Sequence, residues 1–286
     1  MASTPLISTA ELAASLSDPD LRIVDCRFDL SDPQAGERAH AEARIPTAGY
    51  AHLNRDLSDL SNSAIHGRHP LPGMSQLAAS LSRLGINRHS KVVAYDQDNG
   101  AYAARLWWLL RSCGFPSVRV LNGGFAAWKR EGLRLETGDT LAARSTHLPE
   151  RLELPPYLWL DADAVAIGLE SQSITLIDAR AQPRFRGEVE PLDLVAGHVP
   201  GALNRPFLDN LDANGQFKPP QQLRREFEAL LGGRSPSTVV HMCGSGVTAC
   251  HNRLAMDLAG LRGSRLYPDS WSGWITDSAR PVARGD

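Results

Sequence analysis

The run Thr238-Val239-Val240-His241-Met242-Cys243-Gly244-Ser245-Gly246-Val247-Thr248 changes character twice. A β-branched apolar stretch ends at Met242. Cys243 follows at once, then Gly-Ser-Gly, then a segment of helical spacing from Val247 to Leu261. Read as strand, tight loop and helix, the run puts Cys243 at the carboxyl end of a parallel strand, where open α/β sheets bind ligands. Gly244 and Gly246 let the backbone curl and present its N–H groups. The helix start adds unpaired donors and a partial positive charge. An anion is favoured there: either the Cys243 thiolate, since helix N-termini lower thiol pKa values from about 8.5, or an oxyanion of a substrate.

A thiolate in such a cradle suits attack on sulfur or on phosphorus. Cysteine phosphatases carry an arginine six positions after the nucleophile to clamp the phosphoryl oxygens. That position is Ala249, and Gly244 to His251 holds no arginine or lysine, which disfavours phosphate. The other cysteines, Cys26, Cys113 and Cys250, fall inside strand or helix patterns and read as packing residues. Four cysteines without a C-x-x-C pair fit neither a disulfide scaffold nor a zinc ribbon.

Working outward, the chain repeats itself once. Ile23-Val24-Asp25-Cys26-Arg27 matches Leu176-Ile177-Asp178-Ala179-Arg180. Ala43-Arg44-Ile45-Pro46-Thr47-Ala48 matches Gly197-His198-Val199-Pro200-Gly201-Ala202. Lys91–Tyr95 matches Thr238–Met242, and Gly124–Trp128 matches Ser270–Trp274. The common order argues for a duplicated domain. Leu21–Asp25, Val92–Tyr95, Val118–Leu121, Thr175–Asp178, Val239–Met242 and Arg265–Tyr267 read as strands. Met74–Leu84, Tyr102–Cys113, Gln221–Leu231 and Val247–Leu261 read as helices. The alternation predicts an α/β fold with mostly parallel sheets. The expected division is a non-catalytic domain over 1–135, a proline-containing linker over 136–156 and a catalytic domain over 157–286. Asp96 stands where the second half has Cys243. An aspartate cannot carry sulfane sulfur, so only the second half is expected to be active.

Hydrophobic residues make up 42% of the 286 and charged residues 22%, the balance of a soluble globular protein. A net charge of -2 gives no reason to expect nucleic acid or a membrane surface as partner. No apolar run approaches a membrane span, and the N-terminus lacks the pattern of a secretory signal. The cytoplasm is the expected location.

These landmarks resemble the rhodanese superfamily in its tandem form, over about Ser8 to Ile275. Besides the repeats above, Leu121-Asn122-Gly123-Gly124-Phe125-Ala126-Ala127-Trp128 and Ser270-Trp271-Ser272-Gly273-Trp274 carry the resemblance. It implies two rhodanese-like domains, each a mostly parallel five-stranded sheet flanked by helices. The loop Cys243-Gly244-Ser245-Gly246-Val247-Thr248 resembles that of 3-mercaptopyruvate sulfurtransferases. Thiosulfate-preferring rhodaneses place Arg and Lys after the cysteine, which suits a dianion.

The resemblance implies further roles. Arg184 matches an arginine that binds the substrate carboxylate and keto group. Gly244, Gly246, Val247 and Thr248 would cradle the terminal sulfur. Ser245, His69 and Asp59 resemble a Ser-His-Asp proton relay. Without the resemblance, Asp59, His69 and Arg184 read as solvated loop charges, and His198 reads as structural. A second substrate arginine expected after Glu190-Pro191 is replaced by Leu192, and Arg186 is a candidate substitute. Asp269 stands where the family commonly has glycine.

The expected chemistry has two halves. Cys243 takes sulfur from 3-mercaptopyruvate as a persulfide, releasing pyruvate, and then gives it to a thiol, thioredoxin or cyanide. No metal or organic cofactor is implied. Two alternatives stand beside it: a thiosulfate sulfurtransferase, and a non-catalytic sulfur-relay or docking module.

Overall fold

Apolar β-branched runs without polar alternation form strands covered on both faces, and the structure, a computed structural model, shows this. It describes residues 4–138 and 152–286, so most of the expected linker lies outside the described residues. The chain divides into two units. One takes Met1–Ser58, Pro72–Leu154 and Ala213–Gln216; the other takes Asp59–Leu71, Pro155–Asp212 and Phe217–Asp286.

The first unit has a parallel five-stranded sheet. Its strands are Leu6–Ile7 (β1), Leu21–Asp25 (β2), Gly49–Tyr50 (β3), Lys91–Tyr95 (β4) and Val118–Leu121 (β5), in the order β1-β5-β4-β2-β3. The helices Met74–Arg83 and Ala101–Ser112 lie within one residue of the expected bounds.

The second unit has Thr175–Asp178 (β6), Leu203–Asn204 (β7), Val239–Met242 (β8) and Arg265–Leu266 (β9), all parallel, in the order β7-β6-β8-β9. Five strands were expected here and four form among the described residues. Trp159 meets Leu266 in a single parallel bridge, in the place that β1 takes beside β5. Pro156–Leu158 is a 3-10 turn immediately before it, and Asp161 caps the helix Ala162–Glu170 immediately after. Turn and cap leave no room for a longer ladder. The helices Pro220–Leu231 and Thr248–Leu258 complete the unit's larger elements; the second ends three residues before the expected Leu261.

The repeated Asp-x-Arg motif has a structural cause. In each unit the aspartate ends a strand and takes the side-on edge of the arginine two residues later. Arg27 Nη2 lies 2.6 Å from Asp25, and Arg180 Nη2 lies 2.7 Å from Asp178. The same nitrogens donate to the Ala43 and Gly197 carbonyls. Each guanidinium also covers an aromatic ring, Phe125 at 4.2 Å and Trp271 at 4.7 Å. All four charged groups are buried. Such pairs are tolerated inside because every partner is satisfied.

Around them pack the apolar cores. Ile23, Val93, Leu121, Phe125 and Trp128 fill the first; Leu176, Val240, Met242, Trp271 and Trp274 fill the second. Each fully buried large side chain contributes roughly 1.5–3 kcal/mol. His198 is structural, as expected: its ring stacks on Phe185 at 3.8 Å and its Nδ1 lies 2.8 Å from the Phe185 carbonyl.

One segment departs from sequence order. Asp59–Leu71 belongs to the second unit. His66 Nδ1 lies 2.9 Å from Asp269, the Arg68 N–H donates to Ser272 Oγ at 3.0 Å, and Thr276 Oγ1 donates to the Ile65 carbonyl. Gly67 adopts a φ of +78°, and a Cβ there would fall 2.3 Å from Ser272 Oγ. Asp269, which had no evident role in the sequence, is therefore a tether for this segment. Burial pushes its carboxyl pKa up, and His66 partly opposes that. Among the described residues no helix is long and apolar enough to cross a membrane, and no cluster of metal-ligating side chains occurs.

Candidate active site

The central strand β8 is buried along its whole length. It delivers Cys243 to its carboxyl end, with the helix Thr248–Leu258 starting five residues on. The loop between is strapped to the start of the helix Ser270–Trp274. The Cys243 N–H donates to Ser270 Oγ at 3.0 Å, and the Cys243 and Gly244 carbonyls accept from the Trp271 and Ser272 N–H groups. Ser270 is held at a φ of +55°, a strained conformation for a residue with a side chain. Its hydroxyl donates to the Tyr267 carbonyl at 2.9 Å while accepting from Cys243.

Cys243 is 2% exposed. Its Sγ accepts the Gly246 N–H at 3.1 Å, so a donor of the loop is turned onto the sulfur. This requires a left-handed residue at Gly246, whose φ is +77°. A Cβ there would sit 2.2 Å from the Pro268 carbonyl oxygen, so no other residue fits without movement. Cys250 packs beneath the loop, its thiol donating to the Gly246 carbonyl at 3.3 Å. Val247 is buried and Thr248 begins the helix.

Ser245 is nearly buried, and its Oγ lies 2.7 Å from His69 Nδ1. The structure thus brings together two of the three expected relay members. Asp59 is placed differently. Its carboxylate accepts from the Ser61 N–H and Oγ and from Asn62 Nδ2, capping the 3-10 turn Leu60–Asn62. The Ser61 hydrogen bonds hold its pKa below the usual carboxylate value.

Arg184 lies in the last turn of the short helix Gln182–Phe185. Its Nε and Nη2 take Glu190 at 3.2 and 2.6 Å, and Nη2 also reaches Asp193 at 3.2 Å. Its Nη1 lies 3.6 Å from the position of a Gly244 Cβ, which puts the guanidinium beside the loop. Arg186 is engaged elsewhere, with Asp286 at 2.5 Å and Glu188 at 3.8 Å.

Two residues of the site were missed in the sequence. Arg68 pairs with Asp193, and its Nη2 lies 2.7 Å from the Gly244 Cβ position. Burial, then the proximity of Arg184, lowers its pKa. Asp193 links Arg68 to Arg184 and is itself buried at the side chain. The only signal for either was adjacency, Arg68 to His69 and Asp193 to Leu192.

A family model for the rhodanese-like domain matches residues 8–131 and again 161–277. The chain belongs to the rhodanese family. A Pseudomonas aeruginosa protein named a probable 3-mercaptopyruvate sulfurtransferase is 50% identical to this rhodanese, covering all of both chains. A Mycobacterium tuberculosis protein provisionally named a thiosulfate sulfurtransferase is 40% identical over 98% of this chain and 97% of its own. The crystal structure of the 3-mercaptopyruvate sulfotransferase SseA of Escherichia coli superposes with a TM-score of 0.78 at 30% identity. It covers 94% of this rhodanese and 100% of its own chain.

Proposed function

We propose that this rhodanese moves sulfane sulfur from 3-mercaptopyruvate to a thiol or cyanide through a persulfide on Cys243. The Gly246 N–H on Cys243 Sγ carries the reading, because it is a donor already aimed at the sulfur. The Cys243 thiolate attacks the sulfur of the donor. An S–S bond forms, the C–S bond breaks, and the electron pair passes to the carbon of the pyruvate enolate, which takes up a proton. Ser245 and His69, 2.7 Å apart, supply the route for that proton. Asp59 would act through the cap that fixes the entry of the segment bearing His69. Arg184, beside Gly244, contributes charge to the donor's carboxylate. Persulfide donation to a thiol such as thioredoxin or to cyanide closes the cycle.

The charge balance bears on the donor. Near the loop, Arg68 and Arg184 face Glu190 and Asp193, two cations against two carboxylates. A nominally neutral cluster suits the monoanion mercaptopyruvate better than a dianion. Thiosulfate is the second reading, favoured by the presence of Arg68 against Gly244.

Intact-protein mass spectrometry of the reduced enzyme after incubation with each donor tests this, with pyruvate assayed in parallel. One added sulfur on Cys243, faster with mercaptopyruvate and absent in Cys243→Ser, is expected. Gain with thiosulfate alone reverses the donor. No gain with either leaves a docking or relay module.

A further inference from the structure

The side-on edge of an arginine, Nε with Nη2, matches the two oxygens of a carboxylate. Arg27 on Asp25, Arg180 on Asp178 and Arg184 on Glu190 use it so, and Arg186 sets the same two nitrogens on one oxygen of Asp286. Arg68 is held the other way round. Its Nη1 pairs with Asp193, while its Nε is buried and has no acceptor among the described residues. Nη2, the other half of that edge, lies against Gly244, the residue after Cys243. A buried guanidinium donor left unmatched is costly unless a ligand completes it. The Arg184 edge, by contrast, is already filled by Glu190.

We propose that Arg68, rather than Arg184 or Arg186, is the principal carboxylate-binding residue for the sulfur donor, receiving a 2-oxo carboxylate on its Nε/Nη2 edge beside Cys243. Asp193 serves as its positioning residue: it fixes Nη1 and so turns the opposite edge to the loop. Arg184 adds its Nη1 from the second side. Arg68 thereby supplies, from the segment Asp59–Leu71, the cation that Leu192 does not. This rests on the sulfurtransferase reading for its substrate, but the ligand chemistry, a carboxylate beside a carbonyl, can be measured without turnover.

The experiment compares wild type, Arg68→Met and Arg68→Lys on two donors, 3-mercaptopyruvate and mercaptoacetone, which keeps the ketone and thiol and lacks the carboxylate. Pyruvate binding is followed by calorimetry on the same proteins, and thermal unfolding confirms folding. Arg68→Met should raise KM for mercaptopyruvate by roughly tenfold or more, with mercaptoacetone turnover within about twofold of wild type. Arg68→Lys should recover only part of the loss, since an ammonium cannot present the fork. Pyruvate should bind more weakly to both variants. Equal losses on both donors, or unchanged KM and unchanged pyruvate affinity, would overturn the assignment. If wild type fails to turn over mercaptopyruvate, the sulfurtransferase reading fails separately, and pyruvate binding still decides the role of Arg68.

Discussion

His69 Nδ1 and Ser245 Oγ lie 2.7 Å apart, although 176 residues of chain separate them. The pairing couples a titratable ring to the hydroxyl two residues after the nucleophile. Ser245→Ala and His69→Asn should each lower kcat for pyruvate release by about 10²-fold, the lower end of general acid-base effects. Unchanged kcat in both variants would remove the relay from the mechanism.

Gly246 is fixed by geometry on two counts, its positive φ and the Pro268 carbonyl 2.2 Å from its Cβ position. Gly246→Ala should cost about 2–4 kcal/mol of stability, from left-handed strain and steric overlap combined. It should also turn the N–H away from Cys243, lowering persulfide yield. Denaturant unfolding and the mass assay check the two effects.

Asp96 accepts the Gly100, Tyr102 and Ala103 N–H groups at 2.9, 2.8 and 3.1 Å. Burial pushes its carboxyl pKa up while these donors pull it down. Asp96→Ala leaves buried donors without their acceptor and should destabilise the protein by about 1–3 kcal/mol. The yield of persulfide on Cys243 in the remaining folded protein should not change. A stable variant would contradict the structural role assigned to this carboxylate.

His241, buried in β8, has its pKa lowered to about 3 by burial. It is neutral in the folded protein, whereas in the unfolded chain it takes up a proton near pH 6.5. Its contribution to stability is therefore complete above about pH 6.5 and is lost as pH falls towards 3. The slope is up to about 1.4 kcal/mol per pH unit. His241→Val should flatten this part of the profile, whatever offset the substitution itself introduces. Urea unfolding between pH 4 and 7 measures the slope. Parallel profiles would mean that His241 does not set it.

Much of the architecture was legible because the repeat and the strand patterns are local. Asp25 and Asp178 could be matched from sequence because a buried strand, a carboxylate and an arginine two residues later form one unit of structure. Cys243 was legible for the same reason, since strand, glycine loop and helix are contiguous. The width of the second sheet was not: the turn at Pro156–Leu158 and the cap at Asp161 together reduce an expected strand to one bridge. Nor was Arg68. Its meaning depends on Asp193, which lies 125 residues away, and on the bare face of Gly244. Neither signal has a sequence period. Asp59 shows the converse, a residue whose resemblance suggested a relay and whose carboxylate closes a local turn.

The carboxylate of Asp96 gives the first unit a resident in place of a visitor. A loop that must receive and release sulfur has to keep its donors short of acceptors between turnovers. Where an aspartate occupies the corresponding cradle, those donors are already filled. We propose that the first unit carries no sulfur for this reason, so that the side chain which denies it a persulfide is the same one that makes its loop firm.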